Sequence, residues 1–289
     1  MATLSNGLVS NGLARLLRNP PLAFGLLILA LLCLTAAIGP FVTDEALARV
    51  GATLPRQPPS AAHWLGTDSQ GRDMVTVLML AMPQTLKIGL VAGLISLSVG
   101  VALGLVSGFA GGVADTVIRL ASDVMMTIPG IAILVLVAAN VREMTVAIMA
   151  VIVASLSWMV TTRTIRAQTL SLRERGYVQI ARLNGSSTAR LVFVEILPNL
   201  LPFIAASFVI AVSNAMLATI GLEALGLGPQ KELTLGTTIY WAQFYGAILR
   251  GMWWWWAPPI LLISLIFIGL MLTSVGLDSF VNKRMANGS

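Results

Sequence analysis

The residues that could do chemistry fall in two stretches. The first reads His63-Trp64-Leu65-Gly66-Thr67-Asp68-Ser69-Gln70-Gly71-Arg72-Asp73. Arg72, between Asp68 and Asp73, can tie a turn with charge-assisted hydrogen bonds, and Thr67 or Asp68 can cap a helix. His63 has no second His and no Cys beside it, so it reads as a loop histidine before a metal ligand or proton relay. The second stretch, Arg163 to Pro202, holds six of the fifteen arginines. Asn184-Gly185 followed by Ser186-Ser187 is a helix stop next to a helix start, because Gly takes the left-handed conformation and Ser caps well. Two short helices with a corner between them are expected, the second ended by Pro198. The first carries Tyr177, Ile180, Ala181 and Asn184 on one narrow face, flanked by Arg173, Arg175 and Arg182. Such a face packs against the chain's own body or against a partner, and the pattern leaves both open.

Catalysis is not supported. The three lysines, Lys87, Lys231 and Lys283, are none of them preceded by Gly. The phosphate loop Gly-Lys-Ser/Thr is therefore missing, and with it that route to nucleotide hydrolysis. No His-Glu-x-x-His and no Ser/His/Asp arrangement occurs. Cys33 is the single cysteine, so neither a disulfide framework nor a Cys/His metal cluster is expected. No catalytic, cofactor or metal residue is assigned.

The elements that must position these stretches are membrane helices. The chain is 57% hydrophobic and 10% charged, with a mean hydropathy of +0.88. Runs free of Asp, Glu, Lys and Arg occur at 19–43, 88–114, 124–141, 144–162, 196–222 and 251–277. About 20 apolar residues span a bilayer as a helix, and the runs lack the alternation of a barrel strand. An all-α integral membrane protein with six spans is expected. Its segments are 1–20, a first span at 21–41, an outer loop at 42–83, a core at 84–283 containing the loop 163–198, and a tail at 284–289. With the N-terminus inside, the inner segments hold eleven basic residues and the outer ones seven, Lys87 among the latter. Both termini and the 163–198 loop are thereby placed in the cytoplasm. Arg15 and Arg18 precede the first run, which is too long for a cleavable signal and reads as a retained helix. The net charge of +6 lies between spans and does not point to nucleic acid.

Inside the spans, Gly89 and Gly93, then Gly100, Gly104 and Gly108, form two rows at a four-residue step, the signature of close helix packing. Asp115, Arg119 and Asp123 follow as a self-compensating ladder. Pro129-Gly130 weakens the third span. No carboxylate, His or Lys is expected in mid-span, which argues against a proton-coupled carrier. Ser213 and Asn214 in the fifth span face a helix partner or a water-filled path. Trp253 to Trp256 read as an interfacial belt before a sugar-stacking platform.

These residues resemble the membrane-spanning permease subunits of bacterial ABC importers, and within them the C-type subunit of the dipeptide/oligopeptide/nickel group. His63-x-Leu65-Gly66-Thr67-Asp68-x-x-Gly71-Arg72-Asp73 looks like that group's extracytoplasmic signature. Tyr177-Val178-Gln179-Ile180-Ala181-x-x-x-Gly185, ending in Ile196-Leu197-Pro198-Asn199, looks like the cytoplasmic loop with the Glu-Ala-Ala…Gly…Leu-Pro pattern. Leu225-Gly226-Leu227-Gly228 also fits. Gln179 stands where the pattern has Glu and Ile180 where it has Ala; returning Glu to position 179 is expected to be tolerated. The C-terminus lacks the usual ending, with Gly276-Leu277-Asp278 as its remnant. The resemblance implies a non-catalytic inner-membrane subunit forming half of a pathway for a small solute, peptide first. It implies a docking role for Tyr177, Gln179, Ile180, Ala181, Gly185, Leu197 and Pro198. Its implied partners are a second permease in a heterodimeric pore, two ATP-binding subunits carrying ATP and Mg, and an extracytoplasmic solute-binding protein. The alternatives are an ATP-independent channel or carrier, or the same importer type with oligosaccharide or nickel as solute.

Overall fold

The structure, a computed structural model, describes residues 19–286, with side chains as far as Ser279. Arg15 and Arg18, the segment before Asn19, and the side chains of Lys283 and Arg284 lie outside the described residues. Everything described is helix or connecting loop, apart from one isolated bridge between Thr67 and Asp73.

Helix α1 (Pro20–Val42) opens with two prolines, which supply the fixed φ of a first turn at no cost in hydrogen bonds. Its Gly25 faces the backbone of Thr273 and Gly269 in the last helix, α10 (Trp253–Ala286), and Gly276 of α10 faces Leu22 in return. The Asn19 amide closes this seam by donating to the Gly276 carbonyl at 2.9 Å. Helix α2 (Met74–Ala110) runs for 37 residues. It starts nine residues before the expected end of the outer loop and runs through Pro83 without a break. The loop is therefore shorter than 42–83, because Asp73, not Thr67 or Asp68, is the cap: its carboxylate accepts from the Thr76 amide at 3.0 Å.

Gly111 and Gly112, both at positive φ, turn the chain into α3 (Gly112–Thr127). Pro129 separates it from α4 (Gly130–Ala139), and the two are bent by 79°. A second bent pair, at 46°, is α5 (Val146–Ser155) and α6 (Trp158–Arg173), whose junction falls inside the unbroken apolar run 144–162. The short α7 (Gly176–Leu183) follows. Then comes α8, Thr188–Ala224, one span and not a short helix plus a new one. Pro198 does not end it. The chain opens into a π turn over Leu191–Ile196, and this wider turn makes room for a proline ring and its missing donor. Helix α9 (Leu235–Phe244) begins on a capping box between Thr234 and Thr237.

Four helices, α1, α2, α8 and α10, are long and apolar enough to cross a membrane, and the count rises to six if each bent pair is one span. Three buried clusters hold the bundle. One joins α1, α2, α8, α9 and α10 around Met74, Leu78, Trp255 and Ile266; one joins α2, α4, α5 and α8; the third gathers at the α7 end. Among the four tryptophans, Trp255 is wholly buried and stacks on Tyr245, and the Trp254 indole donates to the Thr67 carbonyl. The run is thus mostly core and loop anchor, with Trp253 its exposed member.

Candidate functional site

The α7 corner is built from three helix ends. Arg173, the last residue of α6, donates through Nη1 to the carbonyls of Gly108 at 3.3 Å and Phe109 at 3.2 Å, satisfying the end of α2. The Arg182 guanidinium lies over the Phe109 ring, 6.0 Å from its centre. Val178 is fully buried among Ile165, Leu191, Ile196 and Leu200, so α7 is seated on α2, α6 and α8 together. After Leu183 the chain closes in a Schellman pattern. The Ser186 amide donates to the Ala181 carbonyl and the Gly185 amide to that of Arg182, with Gly185 at φ +77°. Ser187 then caps α8, its hydroxyl accepting from the Arg190 amide.

This seating divides the expected face. Tyr177 and Ile180 are 40% and 61% exposed, and Asn184 is exposed beside them, but Ala181 turns partly inward against the cluster under Val178. Leu183, which the sequence reading passed over, is 85% exposed. Three apolar side chains at successive three-residue steps are therefore bare on one side of α7. Burial raises the Tyr177 phenol above its usual range, offset in part by Arg175, so the hydroxyl stays protonated at neutral pH. Gln179 folds back, its amide donating to the Arg173 carbonyl at 3.4 Å and to Glu174 Oε2 at 3.3 Å. A glutamate there would lose both donors and sit beside a second carboxylate, a geometry that argues against the expectation that Glu is tolerated. Leu197 and Pro198 open the α-helical stretch that follows the π turn, directly after the buried cluster's Ile196.

The His63–Asp73 stretch forms a clasp at the opposite end of the bundle. Asp68 accepts from the Gln70 and Arg72 amides through Oδ1, and Arg72 Nε meets its Oδ2 at 2.6 Å. Thr67 donates to the Leu54 carbonyl and accepts from the Gln57 amide. Asp73 does not share Arg72; besides capping α2 it meets His63 Nδ1 at 2.9 Å, which gives His63 its structural role. Gly66 and Gly71 sit at φ +61° and +72°, each facing a carbonyl, of Gln57 and Thr53, that a side chain would strike. Thr67 and Asp68 are inaccessible. The chemistry of this motif is spent on fastening the loop to α2 and α10.

The glycine rows face two different helices. Gly89 and Gly93 meet Met216 and Val212 of α8. Gly100, Gly104 and Gly108 meet Thr161, Ile165 and Thr169 of α6, one per turn. At the end of this second seam Asp115 accepts from Ser107 and forms an ion pair with Arg166, whose Nη2 is 2.7 Å from Oδ2; Asp123 pairs with Arg163 at 2.8 Å. The ladder through Arg119 is not formed: both acids pair across to α6. Ser213 bonds back to the Val209 carbonyl in its own helix. Asn214 is exposed and, among the described residues, has no interhelical partner. Two further groups were missed. Glu223 is fully buried at the end of α8 and accepts from Thr234 at 2.8 Å, tying α8 to α9. Lys87, counted with the outer segments from its sequence position, lies within α2.

Residues 100–287 match the family of binding-protein-dependent transport system inner membrane components. The chain belongs to that family. This permease subunit is 29% identical over 227 residues to the oligopeptide transport system permease protein OppC of Mycobacterium tuberculosis and to that of Mycobacterium bovis, covering 78% of each chain. It is 29% identical over 216 residues to the dipeptide transport system permease protein DppC of Bacillus subtilis, covering 75% of this chain and 67% of that one. The permease is a non-catalytic component of the inner membrane, and the channel or carrier reading falls away with the family match.

Proposed function

We propose that this permease forms half of a peptide pathway and takes its energy from separate ATP-binding subunits docked on α7. The observation that carries this reading is the division of α7: Val178 locks one side to three helix ends while Tyr177, Ile180 and Leu183 stand bare on the other. An apolar helix face left open beside a polar loop is the pattern of a docking site. Because Val178, Arg173 and Arg182 bind α7 to α2, α6 and α8, a displacement of α7 would reach all three helices at once.

In this reading the α7 end faces the cytoplasm, as the distribution of Lys and Arg favours, and the clasp end faces the solute-binding protein. ATP and Mg belong to the docked subunits. A second permease supplies the other half of the pore. Peptide is favoured by the relatives' names, and the burial of Trp255 and the anchoring of Trp254 leave little of a sugar platform.

The test is recovery of the ATP-binding subunit on the tagged permease. Ile180→Asp and Leu183→Asp, both on the bare side, should keep the permease in the membrane while ATP-binding subunit and ATP-dependent uptake are lost. Recovery equal to that of the unaltered chain in both variants would refute α7 as the docking element.

A further inference from the structure

Helices α1 and α10 touch closely over only part of their length. Their glycine contacts, through Gly25, Gly269 and Gly276, all lie about 24 Å or more along α10 from Trp253. Nearer the clasp α1 leans on α2 instead, with Gly39 against Met79. The space left between the three helices is a cavity of about 690 Å³. Its walls are residues from Val75 to Met82 of α2 and from Trp253 to Ser264 of α10, with Thr35 of α1 and Leu65 of the clasp. Trp253 to Ser264 is about 17 Å of helix, against about 15 Å for half of the hydrocarbon core. Trp253 is exposed at the clasp end, and indoles sit at headgroup level. The cavity therefore runs from the membrane surface to the midplane, through one leaflet.

No charged side chain lines it, and of its two hydroxyls Thr35 is engaged by the Leu32 carbonyl at 2.9 Å. A peptide placed there would leave backbone groups unpaired at about 1–3 kcal/mol each. Spread over 17 Å, the 690 Å³ averages about 40 Å² in section, half the roughly 80 Å² of a helix about 10 Å across. It is room for about 20 methylenes if each takes roughly the 30 Å³ of a water molecule. Residues 1–18 and those after Ala286 join α1 and α10 at their other ends, across the midplane from the cavity. What adjoins it is the bilayer: Leu34 and Ile38 of α1 and Ile260 and Leu261 of α10 are exposed, on helices of an inner membrane component. At headgroup level the Trp254 indole is taken by Thr67, whereas those of Trp253 and Trp256 have no acceptor among the described residues. Arg250, three residues before Trp253, has no ion-pair partner among them either. The exposed acids at this end, Asp44 and Glu45, follow α1 and do not line the cavity. Free indole donors and an arginine beside an apolar shaft match the ester carbonyls, phosphate and chain of a phospholipid.

We propose that this cavity is a lipid site, which takes an acyl chain of a phospholipid from the leaflet on the clasp side, with the ester region at Trp253 and Trp256. The chain completes the packing of α1 on α10 over the half of their length where glycines do not. The inference stands on the cavity and on the membrane location of the family, and it is independent of what docks on α7 or which solute is carried.

The experiment uses the permease purified from membranes with the subunits that accompany it. The probe is phosphatidylethanolamine carrying a diazirine halfway along one acyl chain. After a detergent wash that strips bulk lipid, irradiation should label this chain within Val75–Met82 and Trp253–Ser264. Ala257→Trp and Ser264→Phe fill the cavity at two depths, and each should cut that labelling at least tenfold. Ile268→Phe, at an exposed position of α10 past the cavity, should leave it unchanged. Label lost with the bulk lipid in the wash, or equal labelling in the filled variants, overturns the inference. If neither filled variant folds, retention and position of the label on the unaltered chain decide it. A benzophenone side chain at position 79 should capture lipid; a cross-link from it to another protein chain would put a helix in the cavity and overturn the site. Displacement of the label by free palmitate or by a peptide would assign the cavity to a fatty acid or to the solute, and overturns it as well.

Discussion

Substituting Gly185 separates backbone strain from contact, because a Cβ at that position meets nothing within 4 Å. The cost of a side chain is then only that of holding φ +77° with a Cβ present, about 1–2 kcal/mol for an ordinary residue and less for Asn, which visits the left-handed region readily. Relief comes by fraying the end of α7, which gives up the two closing bonds to Ala181 and Arg182 and lets Leu183 wander. A population shift of 1–2 kcal/mol is a factor of roughly 5–30. Recovery of the ATP-binding subunit should therefore fall in the order Gly, Asn, Ala, Val, with Gly185→Val down by about that factor. Membrane insertion should stay unchanged, since α7 is no part of a span. The assay is quantitative pull-down from solubilised membranes, normalised to permease. If Gly185→Asn were as damaging as Gly185→Val, side-chain bulk at an interface and not backbone strain would be the cause. If Gly185→Val recovered the full amount, the corner would not be the docking element.

Four further outcomes are expected. Gly104→Leu should lower assembled complex on size exclusion, because its Cβ would lie 2.8 Å from Ile165 Cβ and 2.9 Å from the Thr162 carbonyl; Gly89→Ala should be milder, since Met216 can swing aside, and Leu103→Val should be mild as well. Asp115→Asn and Arg166→Met should each lower the unfolding temperature, with a coupling of about 1 kcal/mol in a double-mutant cycle, whereas Arg119→Ala should change nothing. Gln179→Glu should weaken docking more than Gln179→Ala in the pull-down, because it adds a carboxylate beside Glu174. The purified permease alone should show no ATP hydrolysis in a phosphate-release assay, and turnover by this chain free of partners would end the importer reading.

The apolar runs made the spanning helices legible, and Gly185 was legible as a turn residue because only its type suits that φ. What the sequence concealed were pairings and boundaries. Asp115, Arg119 and Asp123 have ideal local spacing, yet each acid sits closer to an arginine of α6 once the glycine seam draws α2 and α6 together. Lys87 looked like the rim of a loop because a charge and Pro83 both argue against a helix interior; the cap at Asp73 and the packing of Met74 and Leu78 overrule them. The breaks between α5 and α6 and around Pro198 follow the opposite rule. An unremarked Leu156-Ser157 bends the chain, while a proline is absorbed by a π turn. The close α1–α10 approach through Gly25 and Gly276 was hidden because those glycines stand alone and not in a row.

Helix α2 has one further consequence. It is capped at one end by Asp73 of the clasp and satisfied at the other by Arg173 beside α7, and it continues through Pro83 between them. At 37 residues it is a rod of about 55 Å, longer than the hydrocarbon core is thick. A rod of that length works as a lever: tilting it by about ten degrees around its middle carries each tip about 5 Å in opposite directions. The glycine seam against α6 lies in the half nearer α7, and a rod pivoting about its middle would carry a displacement of α7 to the clasp with its sense reversed.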